Sequence, residues 1–353
     1  MRRFLAPSLT LFLLLALAAC GSEEQPAPAD GETAAPGELV VYAGRSQALV
    51  EPIVDRFREE TGIDVQVRYG RDAELLAALE EEGDRSAADL FWANTSGALG
   101  AANTAGLLTQ LPDSLLGMPA AFVPSSGLWV PVTTRFRVLA YHPQRVDAAS
   151  LPASVLDLPE LDALRGRIGW TPTYSSFQDF VTAMEITYGT DTTRTWLEGM
   201  KDLEPKAYSS NTPMLEALAA GEIDVALTNH YYVLRVLHGG EEGEEMEGSD
   251  APVAIHRFAP GDVGNLALVT GAGVLATATH RDNALLFLNY LLSAETQTAA
   301  AETVFEYPVV RSARLPAYFM PFDEALQLGP DLDFERLRDM DGTLRLLRDE
   351  DLL

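Results

Sequence analysis

The chain has 353 residues, with 52 acidic against 25 basic side chains and a formal net charge of −27. So acidic a chain excludes nucleic acid as an expected partner, because phosphate binding needs clustered Lys and Arg. The single cysteine, Cys20, excludes an intrachain disulfide and a cysteine metal site.

Residues 1–19 begin with the cationic "MRR", continue in a short apolar run and end on "LAA". That pattern predicts a secretory signal peptide. Cys20 follows at the cut point and resembles the cysteine of a bacterial lipobox, which implies lipidation there and a membrane anchor. Residues 20–37, rich in Pro, Ala, Gly and Glu, cannot bury enough apolar surface to offset ordering, and a flexible tether is expected. Folding is expected from about Leu39 onward. Roughly 310 residues remain, a length that suggests two domains.

From there the pattern alternates. "ELVVYAG" (38–44) reads as a strand, "ALVEPIVDRFREETG" (48–62) as a helix stopped by Gly62, and "IDVQVRYG" (63–70) as an alternating strand. "DAELLAALEEEG" (72–83) reads as a helix with Asp72 as its N-cap, and "ADLFWAN" (88–94) as a buried strand. This order predicts a parallel sheet flanked by helices. "LWVPVTTRFRVLAYHP" (128–143) is extended for long enough to cross between domains. Then come the strand "GRIGW" (166–170), a serine-capped helix (174–189), the helix "MLEALAAG" (214–221) and a strand at 223–228. The run 239–250, rich in Glu and Gly, reads as a solvated loop. "GNLALVTGAGVLA" (264–276) is a second extended crossing, and 281–302 reads as one amphipathic helix. The expected fold is α/β: two doubly wound α/β domains joined by extended hinge crossings, with a ligand cleft between them. The expected lobes are 38–136 with 265–312, and 137–264 with 313–353.

In open α/β sheets, ligands sit beyond the carboxyl ends of the strands. Tyr231 and Tyr232 stand at such an end, in "IDVALTNHYYVLRVL". In the first turn of a helix they point about 100° apart, so both phenols can reach one spot. Phenol is a poor metal ligand until it ionises, with a reference pKa near 10. A hard, highly charged cation such as ferric iron can drive that ionisation. The plain alternative is one tyrosine packed in the core and the other hydrogen-bonded at the surface. His230 adjoins the pair but points elsewhere on a helix, and His142, His238, His256 and His280 lack metal-ligand spacing. The sequence holds no GxSxG, no HExxH and no cysteine nucleophile, so no enzyme is expected.

"VVYAGRS", "EEGDRSAADLFWAN", "LDALRGRIGWTPTYSSF", "NTPMLEALAAGEIDVALTNHYY" and "FEYPVV" occur in order between about residues 39 and 312. Together they resemble the signatures of bacterial ferric-ion-binding proteins, the iron(III) substrate-binding components of ABC transporters, within the periplasmic-binding-protein class. The resemblance implies Fe(3+) as bound ligand, held by Tyr174, Tyr231 and Tyr232. Family members that use a His and a Glu instead carry them at positions that read Ser46 and Asn94 here. The resemblance further implies a synergistic anion, carbonate or bicarbonate, bound by Arg45 and Arg135 with help from Thr173, Ser175 and Ser176. Planar guanidinium forks suit an oxyanion. Asn211 and Asn229 are implied as supports of the tyrosines. The implied partners are an ABC permease and its ATPase, for an extracytoplasmic, lipid-anchored monomer. The same fold carrying an organic solute, such as thiamine, a polyamine or a phosphonate, is the alternative.

Overall fold

A computed structural model describes residues 37–119, 122–239 and 250–353. The expected signal peptide and the tether, with Cys20, fall outside the described residues, as does most of the loop 239–250.

The first half begins with β1 (Glu38–Ala43), α1 (Gln47–Thr61), β2 (Asp64–Tyr69), α2 (Asp72–Glu82), β3 (Leu90–Ala93) and α3 (Ser96–Thr104). β1 pairs in parallel with both β2 and β3, as the alternating pattern predicts. Gly62, at φ 73°, ends α1 with its N–H on the Arg58 carbonyl. Asp72 departs from the expectation. It is the first residue inside α2, and its carboxylate instead accepts from the backbone of Asn94 and Thr95 at 2.9 and 3.0 Å. That ties α2 to the turn after β3. A Cβ on Gly44 would lie 1.7 Å from the same carboxylate, so the end of β1 requires glycine.

β4 (Val130–Tyr141) is the long crossing. After it come β5 (Ile168–Trp170), α4 (Ser175–Tyr188), α5 (Thr190–Asp202), β6 (Lys206–Ala207), α6 (Asn211–Ala219), β7 (Val225–Asn229), α7 (His230–His238) and β8 (Ala254–His256). The serine expected to cap α4 lies inside it: Tyr174 occupies the N-cap place, with no side-chain cap. β9 (Ala267–Val274) returns the chain. The single helix expected at 281–302 is two, α8 (Arg281–Leu291) and α9 (Ala294–Thr303). Ser293 breaks it by accepting from the Thr296 N–H at 3.2 Å, a local bond that competes with helix continuation. β10 (Tyr307–Pro308), α10 (Phe322–Leu328) and α11 (Met340–Asp349) complete the chain.

The strands follow the order β2-β1-β3-β9-β4-β7-β5-β6, with β10 and β8 also paired to β4. β4 changes partner partway. Val130–Phe136 pairs with β9, and Arg137–Tyr141 pairs with β7. Distinct cores flank that switch. Phe57, Trp92 and Phe287 pack on one side, and Phe177, Phe180 and Trp196 on the other. The tail touches both. Glu335, in a 3-10 turn at Phe334–Arg338, accepts from Ser125, Ser126 and the Trp129 indole, and the turn lies against Gly97 and Gly100 of α3. Farther on, Thr343 of α11 meets Thr182 of α4 at 2.7 Å.

Candidate functional site

The ends of β1, β3, β5 and β7 and the middle of β4 enclose a polar cavity of about 300 Å³. β7 runs directly into α7, which makes Tyr231 and Tyr232 the second and third residues of that helix. Their rings lie 4.1 Å apart at 31°, and both are more than nine-tenths buried. Tyr174 enters at the start of α4, with its N–H on the Thr171 carbonyl. Its hydroxyl is 3.0 Å from that of Tyr232, although 58 residues separate them. All three line the cavity at the N-termini of two helices, whose dipoles favour negative oxygen. Among the described residues no three His, Cys, Asp or Glu side chains converge as metal ligands.

Burial pushes the Tyr231 phenol up to about 12, against the opposing pull of the Arg135 guanidinium. It pushes Tyr174 and Tyr232 up as well; Tyr232 raises Tyr174 further and Tyr231 raises Tyr232, because neighbouring phenolates repel, while the hydrogen bond from Tyr174 pulls Tyr232 back down. Without a cation the three are therefore phenols at neutral pH.

The facing wall comes from the first half: Gly44, Arg45, Ser46 and Leu49 after β1, Asn94 after β3, and Arg135 of β4. Arg135 donates to the Asn94 side chain at 3.1 Å and to its carbonyl at 2.8 Å, while its Nε has no partner among the described residues. Arg45 sends both terminal nitrogens to Glu306, at 2.8 and 2.9 Å. The Arg45 fork, expected from the resemblance to bind the anion, is engaged here by a buried carboxylate. Ser46 and Asn94, at the places where other family members carry His and Glu, both face the cavity.

Ser175 and Ser176 line the cavity, but Thr173 does not: it belongs to an exposed turn. Asn229 lines it and accepts from Arg137 at 3.2 Å. Asn211 is not in the lining; it is fully buried and accepts from Thr228 at 3.2 Å. His230 turns away, accepting from the Phe136 N–H through Nδ1 and packing on Phe136 and Tyr307. Burial drops its pKa to about 3.

Four further residues escaped sequence reasoning. Arg235 lines the cavity and lies 5.1 Å over the Tyr231 ring and 6.0 Å over that of Tyr232. The i, i+4 spacing from Tyr231 was the available signal. Glu306 was visible as a lone charge in the apolar run "VFEYPVV". Arg137 and Asp179 form a buried layer beneath the cavity, each with one unpartnered polar atom. Desolvation drives Asp179 up to about 7, against the pull of Arg135 and Arg137. A larger cavity of about 360 Å³ shares Arg45 and Leu49 but is lined mainly by apolar side chains of α1 and α9, without converging ligands.

A mixed α/β sheet, parallel where β1 meets β2 and β3 and where β5 meets β6 and β7, antiparallel around the long crossing strand that changes partners, with a polar cavity at the strand ends, defines a two-domain binding protein of the periplasmic kind. The chain belongs to the bacterial extracellular solute-binding protein family, which it matches over residues 52–321. It is 32% identical over 273 residues to the Fe(3+)-binding periplasmic protein of Serratia marcescens, covering 77% of this chain and 78% of that one. It is also 32% identical over 283 residues to the major ferric iron-binding protein of Neisseria meningitidis serogroup B, covering 78% and 82%. The iron-bound crystal structure of HitA from Pseudomonas aeruginosa superposes with a TM-score of 0.78 at 33% identity, covering 89% of this chain and 99% of that one. The resemblance to ferric-ion-binding proteins stated from the motifs therefore holds over most of the chain.

Proposed function

We propose that this protein captures ferric iron as its cargo and delivers it to an ABC permease driven by its ATPase. Tyr174, Tyr231 and Tyr232 are the ligands in this reading. The observation that carries it is the convergence of three tyrosines, two buried and one half-buried, at one wall of a cavity, with Tyr174 and Tyr232 oxygens in contact. The names of the relatives support the same cargo. Three phenolates match the charge of Fe(3+) and leave coordination positions open. Carbonate or bicarbonate fills them, held by Arg135, Ser175 and Ser176, with Arg45 behind.

Capture closes residues 38–136 and 265–312 onto residues 137–264 and 313–353, about the crossing strands. The partner switch of β4 between Phe136 and Arg137 supports that hinge. The protein acts as a monomer without catalysis, on the outer side of a bacterial membrane, anchored through lipid on Cys20. An organic cation such as thiamine or a polyamine fits poorly, since Arg45, Arg135 and Arg235 line the cavity and, among the described residues, no carboxylate does. A phosphonate remains as second reading on that same observation.

Titration with ferric iron, with and without bicarbonate, tests the assignment. A visible phenolate-to-iron band is expected, and it should vanish in Tyr231→Phe/Tyr232→Phe. Full colour and affinity in the double variant would overturn the ligand set, and a colourless complex with a phosphonate would favour the second reading.

A further inference from the structure

Behind the cavity wall, Glu306 binds two arginines at once. Its carboxylate takes both terminal nitrogens of Arg45, at 2.8 and 2.9 Å, and accepts from the Thr133 hydroxyl. Arg135 approaches the same carboxylate at 3.7 Å. Arg45, Arg135 and Glu306 are all more than nine-tenths buried. Arg45 and Arg135 line the cavity, whereas Glu306 does not. The backbone is bent to put it there. Phe305, immediately before it, sits at φ 59°, a left-handed conformation that an aromatic residue rarely adopts. Such an outlier persists only where surrounding packing over-determines it, and it points to a functional placement.

Burial is costly for each charge in this trio, so their sum matters. Two guanidiniums and one carboxylate leave a single net positive charge facing the cavity from this wall. Arg135 also keeps an Nε unpartnered among the described residues, while the fork of Arg45 is occupied. We propose that Glu306 is a positioning residue that sets the anion preference of the site: it holds Arg45 and Arg135 in place and cancels one of their charges, which fits the cavity to a small oxyanion of low charge. This inference rests on the iron-and-anion reading above. It adds which residue decides the class of anion. Burial alone would keep the Glu306 carboxyl protonated, but Arg45 and Arg135 overcome it and hold the group at about 2, ionised throughout the neutral range.

The test compares the unmodified protein with Glu306→Gln. Each is titrated with ferric iron at neutral pH, with either bicarbonate or inorganic phosphate, and the visible band is followed. Removing the carboxylate charge releases the second guanidinium, and a full charge at contact distance is a large effect in a buried site. The preference for phosphate over bicarbonate is expected to rise roughly tenfold or more, about 1.4 kcal/mol. Glu306→Asp, which keeps the charge, should leave the order of the two anions as in the unmodified protein. A role confined to packing would lower stability in both variants without moving that order. If Glu306→Gln does not fold, Arg45→Gln takes its place: it removes the opposite charge of the same pair and must shift the preference the other way. An unchanged ratio in whichever variant folds overturns the inference and leaves the iron reading standing. No band in the unmodified protein with either anion overturns the iron reading, and the inference with it.

Discussion

Capture of ferric iron by these tyrosines must expel protons, and their number is predictable. At neutral pH the Tyr231 phenol lies far below its own pKa of about 12. Ionising it there costs about 7 kcal/mol, which the metal bond must exceed. Tyr174 and Tyr232 are also pushed up, chiefly by burial and next by a neighbouring phenol, Tyr232 for Tyr174 and Tyr231 for Tyr232. Each tyrosine that binds iron therefore releases close to one full proton, and apparent affinity climbs with pH in proportion to that number. Iron supplied as a soluble chelate to the protein in unbuffered solution, read with a pH-stat, should release about three protons per ion beyond the chelate's own. Tyr174→Phe should lower the count by one and shift the visible band without abolishing it. The sign is unambiguous: binding strengthens as pH rises and fails as pH falls. Release of one proton or none, with iron bound, would refute phenolate coordination.

Two buried groups set opposite pH trends in the stability of the folded chain. His230 is held near 3, below the unfolded value of about 6.5, so the stability it contributes is present above the unfolded value and lost as pH falls through the acid range. Urea unfolding should show a loss of about 3 kcal/mol from this group between neutral pH and roughly pH 4.5, and His230→Gln should flatten that part of the curve. Asp179 is held near 7, above the unfolded carboxylate value, so its contribution is present at low pH and lost as pH rises towards neutrality. Asp179→Asn should therefore stabilise the protein more at mildly alkaline pH than at mildly acidic pH, by a few kcal/mol at most. An equal effect at both would contradict its placement in the buried layer under Arg135 and Arg137.

Much of the architecture was legible because it depends on near neighbours. Strand and helix periods marked β1 to β3 and the flanking helices, and the two long apolar runs marked β4 and β9. The strand-to-helix junction placed Tyr231 and Tyr232 side by side at a strand end. Local chemistry misled at Asp72, whose side chain had a distant use: it looked like a cap but holds the Asn94–Thr95 backbone. Periodicity misled at Ser293, whose local bond to Thr296 splits a helix that the apolar spacing ran together. Pairings across long stretches of chain were decided by tertiary structure. The Tyr174 and Tyr232 oxygens meet only because parallel strands β5 and β7 lie side by side. Arg45 and Glu306, 261 residues apart, meet because β10 docks on β4 at Thr133 and Thr134. An amino-acid type records which charge is available, whereas burial and partner depend on which strands become neighbours, and no local pattern carries that information.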